Sequence, residues 1–205
     1  MTTEDYILSH IDPEPQHLAA LNRHTQLHHL YGHQCSGHYQ GRLLSMISHM
    51  TRPKRIIELG CFTGYSTLCL AEGLAQDGEL HTIEINDEDA DELTERFADD
   101  PRIHLHIGDA QQLLTQIPGN WDLAFIDANK RHYCEYLNLL IPRMAPNGII
   151  LADNTLWGGK ITDPNASDAQ TDGIRRFNDM IASRPELRVI ILPIRDGLTI
   201  IRPTH

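Results

Sequence analysis

Between residues 55 and 153 five short apolar runs recur, each separated from the next by a segment of helical character. The runs are RIIEL (55–59), LHTIEI (80–85), IHLHI (103–107), DLAFID (122–127) and IILAD (149–153); the helical segments lie at 65–76, 87–99, about 110–117 and 131–144. Strands that alternate with helices in this way build repeated βαβ units around a parallel sheet. Apolarity that is continuous along a strand, rather than alternating, requires cover on both faces. The chain is therefore constrained to an α/β fold with helices on both sides of one sheet. A further helix is expected at 171–184, closed by Arg184-Pro185. RVIILPI and LTIIR are joined through Arg195-Asp196-Gly197, a hairpin signal that turns the last strand antiparallel to its neighbour. Residues 1–50 hold two helical segments, about 13–31 and 38–50, and no strand. With no linker or repeat, the expectation is one domain over 1–205, a helical lead-in (1–50) followed by an α/β core (54–205).

Composition narrows the function. Seventeen Lys+Arg against 28 Asp+Glu leave a net charge of −11, which argues against nucleic acid as a partner, since phosphate backbones are held by clustered Lys and Arg. No apolar run approaches the roughly 20 residues that span a bilayer. The acidic start lacks a signal-peptide pattern. Cys35, Cys61, Cys69 and Cys134 are scattered, so a reduced, cytoplasmic protein is expected. Five of the 13 histidines fall between residues 24 and 38. His24 and His28 share a helix face at zinc-ligand spacing, but no Cys, Asp or Glu stands beside them at such spacing, and the cluster reads as a solvated helix face.

The strand ends carry the chemistry. The first strand opens into ELGCFTGYS (58–66), where Gly60 and Gly64 form a tight turn that lets backbone approach a ligand. This is not the three-glycine fingerprint of a dinucleotide site, which disfavours a nicotinamide-dependent dehydrogenase. Glu58 at the turn favours a cationic or zwitterionic group over a phosphate. Glu84 ends the second strand 24 residues after Gly60, where doubly wound folds place an acid for ribose hydroxyls. Gly108-Asp109-Ala110 follows the third strand at the expected adenine edge. Together they suggest a nucleoside without phosphates. Asp127, Asp153 and Asn154 end the fourth and fifth strands on the same rim. Three oxygen donors suit a hard cation such as Mg²⁺, and Lys130 is close enough in sequence to reach the same point.

These motifs resemble the metal-dependent O-methyltransferases that use S-adenosylmethionine, the group of the catechol and caffeoyl-CoA O-methyltransferases. SGHYQGRLLSMI, ELGCFTGYS, TIEIN, FIDANKRHYCEY, LADNTLWGG, RRFN and LPIRDGL occur in order and at family-like spacing from about Tyr31 to Arg202. The resemblance implies a Rossmann-like class I methyltransferase fold: a mostly parallel seven-stranded sheet with an antiparallel C-terminal strand and helices on both faces. It implies that Glu58, Gly60, Cys61 and Ser66 hold the methionine part of the cofactor and that Glu84 holds its ribose. Ala110 would lie beside the adenine, Ser36 would contact the cofactor through its backbone, and Asp127 would border both cofactor and metal. Asp127, Asp153 and Asn154 match the metal ligands, Lys130 the catalytic lysine, and Trp157 a loop bordering the acceptor pocket. The implied partner is a small aromatic diol, and the implied assembly a homodimer. Asn129 and Asn86 depart from Asp residues frequent in relatives, and neither is an implied ligand. The alternatives are a cofactor-binding protein of this fold without activity, or a methyltransferase for another acceptor class.

Overall fold

The computed structural model describes residues 1–204. Seven strands form one sheet: β1 (Arg55–Leu59), β2 (Glu79–Glu84), β3 (Ile103–Ile107), β4 (Trp121–Ile126), β5 (Met144–Asp153), β6 (Leu187–Leu192) and β7 (Leu198–Pro203). Their order is β3-β2-β1-β4-β5-β7-β6. The first five pair in parallel, and β7 inserts antiparallel to both β5 and β6. The order reverses direction between β1 and β4, and ligands bind outside the carboxyl ends of strands at such a switch point.

Continuous apolarity has the predicted cause. Ile57 and Leu59 of β1, with Ile150 and Ala152 of β5, point into a core beneath α6 (Ala110–Gln116), α7 (Tyr133–Leu140) and α8 (Ala169–Ala182). Ile56 and Leu151 point the other way, toward α3 (Gly37–Thr51), α4 (Tyr65–Ala71) and α5 (Ala90–Phe97). Each such aliphatic side chain, fully removed from water, contributes roughly 1.5–3 kcal/mol. The lead-in adds α1 (Thr3–Leu8) and α2 (Gln16–His28), joined to α3 by a 3-10 turn at Gly32–Gln34. Among the described residues, no helix is long and apolar enough to cross a membrane.

Several expected boundaries move. The helix after β1 stops at Ala71 instead of 76, and just past its end Gly73 lies so close to the backbone of Ser48 and His49 that a Cβ there would collide. The helix expected from 131 begins at Tyr133 after a 3-10 turn capped by Asn129. It ends at Leu140, where Pro142 lacks the N–H that would continue it. The Asp-Gly hairpin is looser than a two-residue turn: residues 193–197 separate β6 from β7, with Arg195 and Gly197 at positive φ.

Candidate active site

Carboxyl ends of β1, β2, β4 and β5 open into one cavity of about 510 Å³, and the 33–36 segment closes its side. Gly60 adopts φ +90°, and a Cβ there would overlap the carbonyl of Asp127, so glycine lets the β1 turn lie against the end of β4. Asp127 N–H donates to the Leu59 carbonyl at 2.8 Å, which fixes that contact.

Glu84 joins the first two strand ends. Its Oε2 accepts from the backbone N–H of Cys61 (3.1 Å) and Phe62 (2.7 Å), and its Oε1 from Ile85 (2.9 Å) and Asn86 (3.0 Å). Those four bonds match the roughly four lone-pair sites of a carboxylate. A ligand diol would therefore exchange with backbone donors at this residue. Ser36, Gly60, Cys61, Ser66, Ala110 and Asp127 line the same cavity. Glu58 does not. It is wholly buried behind the turn, its Oε2 accepting from Thr67 (2.5 Å) and Thr82 (2.7 Å) while its buried Oε1 has no hydrogen-bond partner among the described residues. Burial pushes the Glu58 carboxyl up to about 7, against the opposing pull of nearby hydroxyls, the Thr67 and Thr82 hydrogen bonds among them.

Asp127, Lys130, Asp153, Asn154 and Trp157 line the other side. Lys130 Nζ contacts Asp127 Oδ1 at 2.6 Å and lies 5.3 Å from the Tyr133 ring centroid and 6.0 Å from that of Trp157. Asp153, 3% exposed, accepts from Gln40 Nε2 at 2.6 Å on Oδ2 and from Asn154 N–H at 2.8 Å on Oδ1. Tyr133 OH donates to the Asp153 carbonyl at 3.0 Å and holds the strand end from below. Burial first, then the charge of Asp127, pushes the Asp153 carboxyl up to about 7. Two acids in one pocket with a single lysine between them fit a divalent cation, whose charge would remove that penalty. The Trp157 indole N–H is also buried without a partner among the described residues.

Two residues given no role at the site by sequence alone, Gln40 and Arg195, bear on the cavity. Gln40 of α3 reaches Asp153 across 113 positions. Arg195, in the hairpin loop, donates to the carbonyls of Cys35 (2.7 Å), Ser36 and His33 (3.2 Å), tying the segment before α3 to the C-terminal hairpin. Both lie inside quoted motifs, SGHYQGRLLSMI and LPIRDGL, but local pattern carries no signal for contacts this distant.

Comparison with known proteins decides the family. An O-methyltransferase family model matches residues 8–204. The chain belongs to the O-methyltransferase family. It is 31% identical to a caffeoyl-CoA O-methyltransferase of Stellaria longipes, over 94% of this chain and 85% of that one. A catechol O-methyltransferase of Niastella koreensis is 32% identical over 75% and 72% of the two chains. Among solved structures, the O-methyltransferase TomG of Streptomyces achromogenes, in complex with SAM, superposes with TM-score 0.90 at 28% identity and full coverage of both chains. The O-methyltransferase of Bacillus cereus, in complex with SAH, superposes with TM-score 0.88 at 27% identity, over 97% and 96% of the chains. This O-methyltransferase is S-adenosylmethionine-dependent, and its sheet is the seven-stranded one expected from its motifs.

Proposed function

We propose that this O-methyltransferase moves a methyl group from S-adenosylmethionine to one hydroxyl of a vicinal diol on a small aromatic molecule, assisted by Mg²⁺ held by Asp127, Asp153 and Asn154. The observation that carries this reading is the buried Asp153 carboxyl facing the charge of Asp127 in the wall of the cavity. Names of the relatives, caffeoyl-CoA and catechol O-methyltransferase, agree with a phenolic acceptor. A divalent cation supplies positive charge that lowers the pKa of an acceptor hydroxyl and fixes its position.

The chain's own residues do the rest. Glu84 takes the cofactor's ribose hydroxyls, Ala110 borders the adenine, and Ser36, Gly60, Cys61 and Ser66 surround the methionine part. Glu58 supports that part from behind the turn. Lys130 takes the acceptor's hydroxyl proton, and the oxyanion so formed then bonds to the methyl carbon while the sulfonium leaves as a neutral thioether. Trp157 borders the acceptor and offers its unpartnered indole N–H. Charge is neutralised in this step, so a cavity that excludes water favours it. Orientation alone supplies several kcal/mol, about 7–11 in favourable cases. The reading extends to residues 1–205 acting as one domain, to a homodimer, and to the cytoplasm, where the four free thiols stay reduced.

The test is methylation of a panel of catechols with Mg²⁺ or with EDTA, read by mass spectrometry. Turnover without metal, or none on any catechol despite tight cofactor binding, would sink the reading. Asp153→Ala should abolish activity and leave cofactor affinity within about tenfold, or roughly 1.4 kcal/mol.

A further inference from the structure

The histidine-rich end of α2 takes no part in the chemistry above. No acidic residue stands near it in sequence, but the fold supplies two. His24 Nε2 lies 3.6 Å from Glu92 Oε1, and His29 Nδ1 lies 3.9 Å from Asp89 Oδ2. Ligand atoms of His24, His29 and Glu92 all fall within 4.8 Å of one another. Asp89 and Glu92 are one turn apart at the start of α5, so both carboxylates face the end of α2.

We propose that His24, His29 and Glu92, with Asp89 as a fourth donor, form a site for a divalent transition metal of the Zn²⁺ class that clamps the lead-in helix onto the α/β core. Two imidazoles and one or two carboxylates are a donor set that Zn²⁺ takes and that Mg²⁺ or Ca²⁺, which prefer oxygen alone, do not. Metal–ligand bonds of about 2.0–2.2 Å in a tetrahedron put ligand atoms roughly 3.3–3.6 Å apart, close to the His24–Glu92 separation. The His24 and His29 rings meet edge-on, 65° apart at 6.1 Å between centroids, so their nitrogens can converge on one point. Glu92 Oε1 also pairs with Arg96, and Arg96 first, then His24 and His29, hold its carboxyl below the usual range.

The two helices that such an ion would join already hold the cofactor turn. Thr25 of α2 and Thr63 share a buried hydroxyl hydrogen bond at 2.8 Å, and the His29 ring packs edge-on against Phe62 at 5.3 Å. From α5, Arg96 Nη1 donates to the Thr63 carbonyl at 2.8 Å. Phe62 and Thr63 both line the cavity. An ion between α2 and α5 therefore braces the turn from outside.

A second group, Glu79, His81 and His104 on β2 and β3, has the same reach and weaker geometry. The His81 and His104 rings overlap at 33° and 4.9 Å, and the His81 Nδ1 is engaged with His106 Nε2 at 2.9 Å; Glu79 is paired with Arg55 as Glu92 is with Arg96. It serves as the control.

The experiment titrates Zn²⁺ into the full chain against a chromophoric chelator, with Mg²⁺ in millimolar excess to fill oxygen-ligand sites, and follows the thermal midpoint in parallel. The His24 and Glu92 side chains are 46% and 40% exposed, so H24Q and E92Q leave the packed interior untouched. The expected result is one tight Zn²⁺ per chain in the wild type and in H104Q. Affinity should fall at least tenfold in H24Q and in E92Q, and Zn²⁺ should raise the midpoint only where it binds tightly. Unchanged affinity in H24Q and E92Q, loss in H104Q instead, or no wild-type binding below about 100 μM, a ΔG° of roughly −5.5 kcal/mol, overturns the site. Tight binding with no midpoint shift overturns the clamp.

Discussion

Gln40 Nε2 donates to Asp153 Oδ2 at 2.6 Å, and this one bond couples the lead-in to the acid at the end of β5. Both side chains are buried, at 1% and 3% exposure, so water cannot replace the donor. Gln40→Leu should leave Asp153 free to turn and should cost 10–100-fold in metal affinity or activity, the range for partners that orient a ligand. Metal titration of the folded variant, checked by circular dichroism, tests this; an affinity within twofold of wild type would remove Gln40 from the site.

Lys130 Nζ sits 2.6 Å from Asp127 Oδ1 with only 10% of its side chain exposed. Lys130→Met keeps an apolar stem at this buried position and removes the amine proposed to take the acceptor's proton. The expected loss in kcat is about 10²–10⁴-fold, the usual scale of general-base catalysis, with cofactor affinity within tenfold. Single-turnover methylation with saturating cofactor measures it, and a loss confined to KM would contradict the assignment.

Much of this layout was legible in the residues because β1, β4 and the end of β5 are covered on both faces and are apolar almost throughout, whereas β3 at the sheet edge is partly exposed and carries His104 and His106. The strand ends were legible too: Glu84, Asp127, Asp153 and Asn154 are polar residues that interrupt those runs at the rim. What could not be read was distance. Gln40 finds Asp153, Arg195 finds Ser36, and Glu92 finds His24 only through the fold. The close approach of α3 and the turn after α4, which only a glycine at 73 permits, likewise has no local signature. Glu58 was expected to hold the cofactor, but burial of its carboxylate behind Thr67 and Thr82 separates it from the cavity.

Glu58 gives a pH signature. Burial raises its folded-state pKa to about 7 from 4.5. The folded protein therefore holds a proton that the unfolded chain has released between those values. That contribution to stability is fully present below pH 4.5 and is lost as pH rises through 7, a change on the order of 3 kcal/mol. Urea unfolding of cofactor-free protein at pH 5 and pH 8 should show the difference together with that of Asp153, whose carboxyl is raised likewise, and E58Q, which keeps a hydrogen-bonding side chain without the titration, should remove the Glu58 share and leave the rest.

Gly60 is the tightest point of the rim, with φ +90° and a Cβ position that overlaps the Asp127 carbonyl. Gly60→Ala forces the β1 turn away from β4, at a cost of about 1–3 kcal/mol for the strained backbone alone. At about 2–4 °C per kcal/mol for a chain this long, the thermal midpoint should fall by several degrees. Cofactor binding should weaken more than that shift accounts for, because Cys61 and Phe62 move with the turn. A variant with wild-type cofactor affinity would show that the turn tolerates the displacement.

Arg195 offers the last test, because it acts on the cavity from the opposite end of the chain. Its guanidinium reaches the carbonyls of His33, Cys35 and Ser36, and its backbone holds φ +49° in the loop before β7. Hydrogen bonds from a charged donor contribute about 1.5–3 kcal/mol where water is excluded, and less at this exposed position. Arg195→Met removes those bonds, so the 33–36 segment should loosen over the cofactor side while Asp127, Asp153 and Lys130 stay in place. The expected outcome is a rise of about tenfold in the dissociation constant for S-adenosylmethionine, or roughly 1.4 kcal/mol, with kcat at saturating cofactor within threefold. Calorimetric titration and steady-state kinetics on the same preparation separate the two. A fall in kcat without a change in cofactor affinity would place Arg195 at the acceptor instead.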